Sequence, residues 1–151
     1  VTARPSARAL LRLPDFVPFR LNRLATAVSE HLAAIYRGRF GLEVPEWRVM
    51  ATVGQERGCT AQFIAESTRM HKTRVSRAIA QLRSRGLLER AASSADRRQL
   101  QLRLSASGRR MYAQLVPLAL AREEELLAAL SLPERRAFLG ALARLESALG
   151  L

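Results

Sequence analysis

Apolar residues recur along this chain at helical spacing as far as Gly86, alternate with polar ones through Leu104, and then return to helical spacing. In the first part, Leu21, Leu24, Val28, Leu32 and Ile35 form one stripe. They predict a helix capped by Asp15 and reaching about Tyr36, with Pro18 tolerated in its first turn. Gly38 and Gly41 are expected to break it. Pro45 opens a second helix, which carries Trp47, Val49, Met50 and Val53 and ends near Gly54 and Gly58. Thr60 is placed to cap a short helix over 61–67, packed through Phe63 and Ile64. The next helix spans about 72–85, and Gly86 ends it.

Beyond Gly86 the period falls to two. A short strand is predicted over 87–90 and a polar loop over 91–98. In the second strand, 99–104, Leu100, Leu102 and Leu104 face one way and Gln99, Gln101 and Arg103 the other. Ser105 begins a long helix to about residue 130, bent at Pro117. Ser131 and Glu134 have capping-box spacing and open the last helix, whose seam is Phe138, Leu142, Leu145 and Leu149. The expected fold is mainly α with a small β-hairpin. It forms one domain, 1–151, in which residues 45–104 make a winged helix-turn-helix lobe.

Composition sharpens this picture. Of the net +12, residues 69–110 carry +10: twelve bases against Glu89 and Asp96. A positive field focused on a helix-turn-helix and hairpin is the footprint of a phosphate-binding surface. Arginine outnumbers lysine by 24 to 1, and its planar fork of donors suits phosphates and guanine edges. No apolar run approaches the roughly 20 residues a membrane span needs, so no membrane association is expected. The first thirteen residues form a loose arm with Arg4, Arg8 and Arg12 and no compact hydrophobic region, so no secretory signal is expected either. The lone Cys59 excludes an internal disulfide and fits a reducing cytoplasm.

On the helix beginning at Lys72, Val75, Ala78, Ile79 and Leu82 follow the i, i+3, i+4, i+7 rule and are expected in the core. Thr73 and Arg77 lie almost opposite that stripe, with Arg74 and Gln81 on one flank and Lys72 and Ser76 on the other. Hydroxyls, guanidinium groups and an amide are suited to hydrogen-bond base edges and phosphates in a major groove. No acid occurs from Thr68 to Gly86, which an ordinary solvated face would contain. At the hairpin tip, Arg97 and Arg98 are candidates to enter a minor groove, with Asp96 holding an arginine by a charge-assisted bond.

The segment Asp96-Arg97-Arg98-Gln99-Leu100-Gln101-Leu102-Arg103-Leu104-Ser105 matches the wing pattern of one family: Asp, any residue, Arg, five residues, Leu, Thr. Ser105 stands in place of Thr. Together with Val75-Ser76-Arg77 and Arg85-Gly86-Leu87-Leu88-Glu89-Arg90, it makes the chain resemble the MarR (multiple antibiotic resistance regulator) family of winged helix-turn-helix repressors. The resemblance covers Asp15 to Leu149 in element order. It implies that Lys72, Thr73, Arg74, Ser76 and Arg77 meet the major groove of a pseudo-palindromic double-stranded operator, and Arg97 or Arg98 the minor groove. It further implies a homodimer built from the terminal helices (15–37 and 105–149), and a small-molecule effector bound between them and the DNA-binding lobe. His71 departs from the acidic or hydroxyl cap common at the start of the reading helix.

Phenolic and aromatic-acid effectors are frequent in proteins of that kind. The candidate contacts here are Phe16, Phe19, Arg20, Asn22, His31 and Trp47, which offer ring walls, a cation and hydrogen-bonding groups for an aromatic carboxylate or its thioester. Cys59 is not at the start of the first long helix, where peroxide-sensing members carry theirs. Nothing points to catalysis or a cofactor. His31 and His71 are far apart, the single Cys gives no zinc spacing, and no phosphate loop or nucleophile elbow occurs. The run Glu123-Glu124-Glu125 is expected to be a solvated helix face rather than a metal site. A basic RNA-binding or nucleoid-architectural protein without a specific operator stands as the alternative; an enzyme acting on aromatic compounds is a third.

Overall fold

The structure, a computed structural model, describes residues 10–92 and 100–151. After a 3-10 turn at Leu13–Asp15 come α1 (Val17–Phe40), α2 (Val44–Gln55), α3 (Ala61–Thr68), α4 (Lys72–Ser84), β1 (Leu88–Ala92), β2 (Leu100–Leu104), α5 (Ala106–Leu127) and α6 (Leu132–Ala148). This is the expected mainly helical chain with one antiparallel hairpin.

Local chemistry fixes most of the boundaries. Glu43 and Glu46 form a capping box at the start of α2. Thr60 accepts from the Phe63 N–H at 3.1 Å, and Ser105 from the Gly108 N–H at 3.0 Å. His71 caps α4 after all: its Nδ1 accepts from the Thr73 N–H at 3.3 Å. Ser131 and Glu134 make the capping box of α6, and the Ser131 bonds hold the Glu134 carboxyl below the usual carboxylate range.

The start and end of α1 differ from the sequence expectation. Asp15 does not cap it; the side chain pairs with Arg12 at 3.4 Å within the 3-10 turn, and α1 begins at Val17. Gly38 does not stop the helix, because one exposed glycine only weakens a helix whose next turn is anchored by buried Phe40. Gly41 stops it, in the left-handed region at φ +59°.

The core lies where α1, α2, α4, α5 and the hairpin meet. Leu42, Val49, Met50, Ile64, Val75, Leu82 and Leu115 are almost wholly removed from water, each worth about 1.5–3 kcal/mol of burial. The predicted stripe of α4 (Val75, Ala78, Ile79, Leu82) is buried throughout. The predicted stripe of α1 is not: Leu21 and Leu24 are exposed, and that helix reaches the core through Ala33, Tyr36 and Phe40. On α3, Ile64 and Ala65 are buried whereas Phe63 is exposed, contrary to expectation.

In the hairpin, Leu88 pairs with Leu104 and Arg90 with Leu102. Cys59 adds a bridge at the outer edge of β2, exchanging bonds of 3.1 and 2.8 Å with Leu102. Pro117 sits inside α5 without ending it. α6 has no buried residue, and its seam of Phe138, Leu142, Leu145 and Leu149 lies open.

Candidate nucleic-acid interface and adjoining cavity

Because α4 sinks one face into the core, its other face is presented outward as a fixed array. Lys72, Thr73, Arg74, Ser76, Arg77 and Gln81 are all exposed there. Among the described residues the ion pairs are Arg12–Asp15, Arg37–Glu43, Arg122–Glu125 and Arg135–Glu124, none of them on α4. The cations of this face therefore keep their donors for an external acceptor. Two grooves flank the helix. Lys72 and Ser76 border one with Gln62, Arg83 and Arg90, of about 510 Å³. Arg74, Arg77 and Gln81 border a shallower one against the start of α2. Asp96, Arg97 and Arg98 lie outside the described residues.

The hairpin is held against the helical lobe by backbone. Ser105 and Ser107 hydroxyls donate to the Gly86 carbonyl at 2.6 and 2.8 Å, and the Arg109 guanidinium to the Leu104 carbonyl at 2.9 Å. The hairpin and the end of α4 thus share one anchor at the start of α5.

Behind the lobe, α1, α2, α5 and α6 enclose a half-open, mostly apolar cavity of about 510 Å³. Its polar lining comes from His31, Tyr36, Trp47, Arg122 and Glu123, with Phe138 closing one side. Tyr36 and Trp47 stack at 5.0 Å between ring centroids, and Trp47 continues onto Tyr112 at 6.4 Å. Burial pushes the Tyr36 phenol up, partly opposed by Arg48, so it stays a neutral donor. Arg122 gives one Nη to Glu125 at 2.6 Å, while its Nε is buried without a hydrogen-bond partner.

Of the effector candidates, the structure brings His31 and Trp47 together in this cavity. It does not bring Phe16, Phe19 or Asn22 there. Arg20 lines a separate groove on α1, with Pro14, Val17 and Leu21. Tyr36, Arg122, Glu123 and Phe138 line it as well, a grouping the sequence does not show, since a cavity between four helices is assembled from distant positions. The glutamate run is exposed, as the sequence predicts; from that solvated face Glu123 borders the cavity, Glu124 pairs with Arg135 at 2.8 Å, and Glu125 with Arg122.

Cys59 is buried, and burial together with Glu56 pushes its thiol up to about 11. Among the described residues no cluster of His, Cys, Asp or Glu could hold a metal, and no helix is long and apolar enough to cross a membrane.

A helix-turn-helix whose second helix presents an exposed basic face, followed by a hairpin on a shared anchor, defines a winged-helix fold. Residues 40–99 match the MarR family model. The transcriptional regulator HosA of Escherichia coli is 25% identical over 78% of this chain and 87% of its own. The MarR family transcriptional regulator SPO1453 of Silicibacter pomeroyi superposes with a TM-score of 0.81 at 28% identity, covering 93% of this chain and 99% of that one. BpsR of Bordetella bronchiseptica, whose DNA binding is regulated by 6-hydroxynicotinic acid, shares the fold with a TM-score of 0.79 at 20% identity, over 91% and 98% of the two chains. Residues 40–99 thus carry the MarR family match, and the fold of the chain is similar to that of MarR family transcriptional regulators over most of its length.

Proposed function

We propose that the protein is a homodimeric cytoplasmic repressor that leaves its operator when a small aromatic acid, or its thioester, fills the cavity behind the winged-helix lobe. The observation that carries this is the placement of α4 between an exposed, acid-free reading face and a core that adjoins the cavity. In this reading Lys72, Thr73, Arg74, Ser76, Arg77 and Gln81 meet the major groove and the wing arginines the minor groove. Residues 45–104 form the DNA-binding lobe. The helices of 15–37 and 105–149 join two chains, which accounts for the open leucines of α1 and α6. Twofold symmetry then presents two reading helices to major grooves about 34 Å apart on one DNA face.

The ligand class rests on the cavity and on relatives. Stacked Tyr36 and Trp47 offer a ring wall, and the unpartnered Nε of Arg122 offers a donor whose burial without an acceptor costs about 1–3 kcal/mol. Arg122 therefore replaces Arg20 as the cation for a carboxylate. BpsR answers to 6-hydroxynicotinic acid, and a Mycobacterium tuberculosis MarR family protein was solved with p-aminosalicylic acid. A ligand that binds the free dimer better than the operator-bound dimer must release DNA by linkage.

The test has two stages. An operator is selected from random duplexes, and binding is competed with random DNA and with RNA; a repressor shows a specificity ratio of about 1,000 or more for its site. Hydroxybenzoates, hydroxycinnamates and their thioesters are then titrated against the complex. Equal binding to random duplex or RNA favours an architectural protein and overturns the operator reading. Failure of every panel member to release DNA overturns the ligand class.

A further inference from the structure

The side chain of Arg85, which follows the last turn of α4, leaves its own helix and reaches the end of α1. One Nη donates to the Gly41 carbonyl at 2.8 Å and the other to the Phe40 carbonyl at 2.7 Å. Both carbonyls belong to the C-terminal end of α1, where helix geometry leaves acceptors unsatisfied and the helix dipole gathers negative partial charge. A guanidinium meets both needs at once. Its two parallel N–H groups span adjacent carbonyls that a single ammonium group would meet one at a time.

Each end of this link is fixed. The Arg85 backbone N–H bonds to the Gln81 carbonyl, which ties the root of the fork to α4. Phe40 is buried, so the α1 end is seated in the core. The first half of α1 leaves Leu21 and Leu24 exposed, and further along the same helix carries His31 and Tyr36 of the cavity. Arg85 thus joins the helix that borders the cavity to the helix that carries the reading face.

We propose that Arg85 is a positioning residue: its two bonds to the end of α1 set the angle between α1 and α4, and so the direction in which each reading face points. Its consequence for operators rests on the DNA-binding reading; the angle itself does not. Arg85 is exposed, whereas Leu82, Leu87 and Phe40 are buried, so its removal takes no side chain out of the core. The two carbonyls then turn to water.

The intact protein is labelled with nitroxides at Glu30→Cys on α1 and Ala80→Cys on α4 in a Cys59→Ala background, then diluted into unlabelled chain. Pulsed dipolar spectroscopy gives the distribution of distances between the labels. Arg85→Ala is expected to broaden it about twofold, and Arg85→Lys, which keeps the charge but not the planar fork, to fall between. Circular dichroism verifies that each variant is folded at the assay temperature. On the selected operator, the parent is expected to lose about tenfold in affinity when one base pair is inserted between half-sites, because the insertion rotates one site against the other. Arg85→Ala is expected to lose most of that spacing preference while keeping discrimination against base changes within a half-site.

An unchanged distance distribution overturns the proposal. So does an unchanged spacing preference, or joint loss of spacing and base discrimination, which would mark damage to α4 itself. If the distribution broadens but no operator can be selected, the positioning role stands and the DNA-binding reading falls.

Discussion

Gly108 lies so close to the Leu87 carbonyl that no Cβ fits between them. The first turn of α5 is thereby pressed against the segment that follows α4, and Ser105 completes the contact by giving its N–H to the same carbonyl at 3.1 Å. The obstructing atom is a backbone oxygen, so the strain of a larger residue has no flexible side chain to absorb it. Gly108→Ala is expected to destabilise the protein by about 1–3 kcal/mol, read as a lower urea midpoint with an unchanged slope. An unaltered midpoint would show that the two segments part easily.

Arg77 stands on the exposed face of α4 with no ion pair among the described residues, and loss of one bidentate base contact costs about 1–3 kcal/mol. Arg77→Ala is expected to flatten the ratio between operator and random DNA. Arg98→Ala on the wing should instead weaken binding evenly across sequences. Fluorescence anisotropy with both duplexes measures each ratio, and an unchanged ratio in Arg77→Ala would reject the reading-face assignment.

α6 buries nothing within its own chain, yet it carries Phe138, Leu142, Leu145 and Leu149 along one seam. Removing residues 131–151 should give monomers or aggregates. Leu145→Glu in the intact chain should lower the dimer's sedimentation coefficient without changing the helical spectrum. A truncated protein that sediments as a soluble dimer and binds its operator normally would end the assignment of α6 to the dimer interface.

Arg122 borders the cavity and Arg20 does not. Charge-assisted hydrogen bonds contribute about 1.5–3 kcal/mol, so Arg122→Gln should raise the calorimetric Kd for an active hydroxybenzoate about tenfold or more. Arg20→Gln should leave it unchanged. The reverse order would move the carboxylate to the groove on the first half of α1.

The Cys59 thiol, pushed up to about 11, has about a hundredfold less thiolate at neutral pH than an ordinary thiol. Maleimide should modify it far more slowly in the native protein than after unfolding. Because the folded form holds the proton more tightly, this group's stabilising contribution is complete below the ordinary thiol range and is lost as pH rises towards 11. Rapid native alkylation at pH 7 would contradict the burial.

The α4 face was legible in the sequence because a single helix decides it: Val75, Ala78, Ile79 and Leu82 at helical spacing fix where Arg77 points. The same logic misjudged α1. Leu21 and Leu24 have helical spacing too, but periodicity says only that a face is apolar, not what covers it, and here it is exposed in the chain. The cavity was half legible. His31 and Trp47 line it, as the sequence proposed, whereas Arg122 sits in α5 beside a run of exposed glutamates. Which of those carboxylates pair with arginine depends on how α5 meets α6, and local spacing does not encode that.

Trp47 is the chain's sole tryptophan. Held between the rings of Tyr36 and Tyr112 on the cavity wall, it is an optical probe built into the fold. Indole emission from the unlabelled protein therefore comes from one place, and changes in its colour or lifetime report the cavity's wetness without any chemical modification.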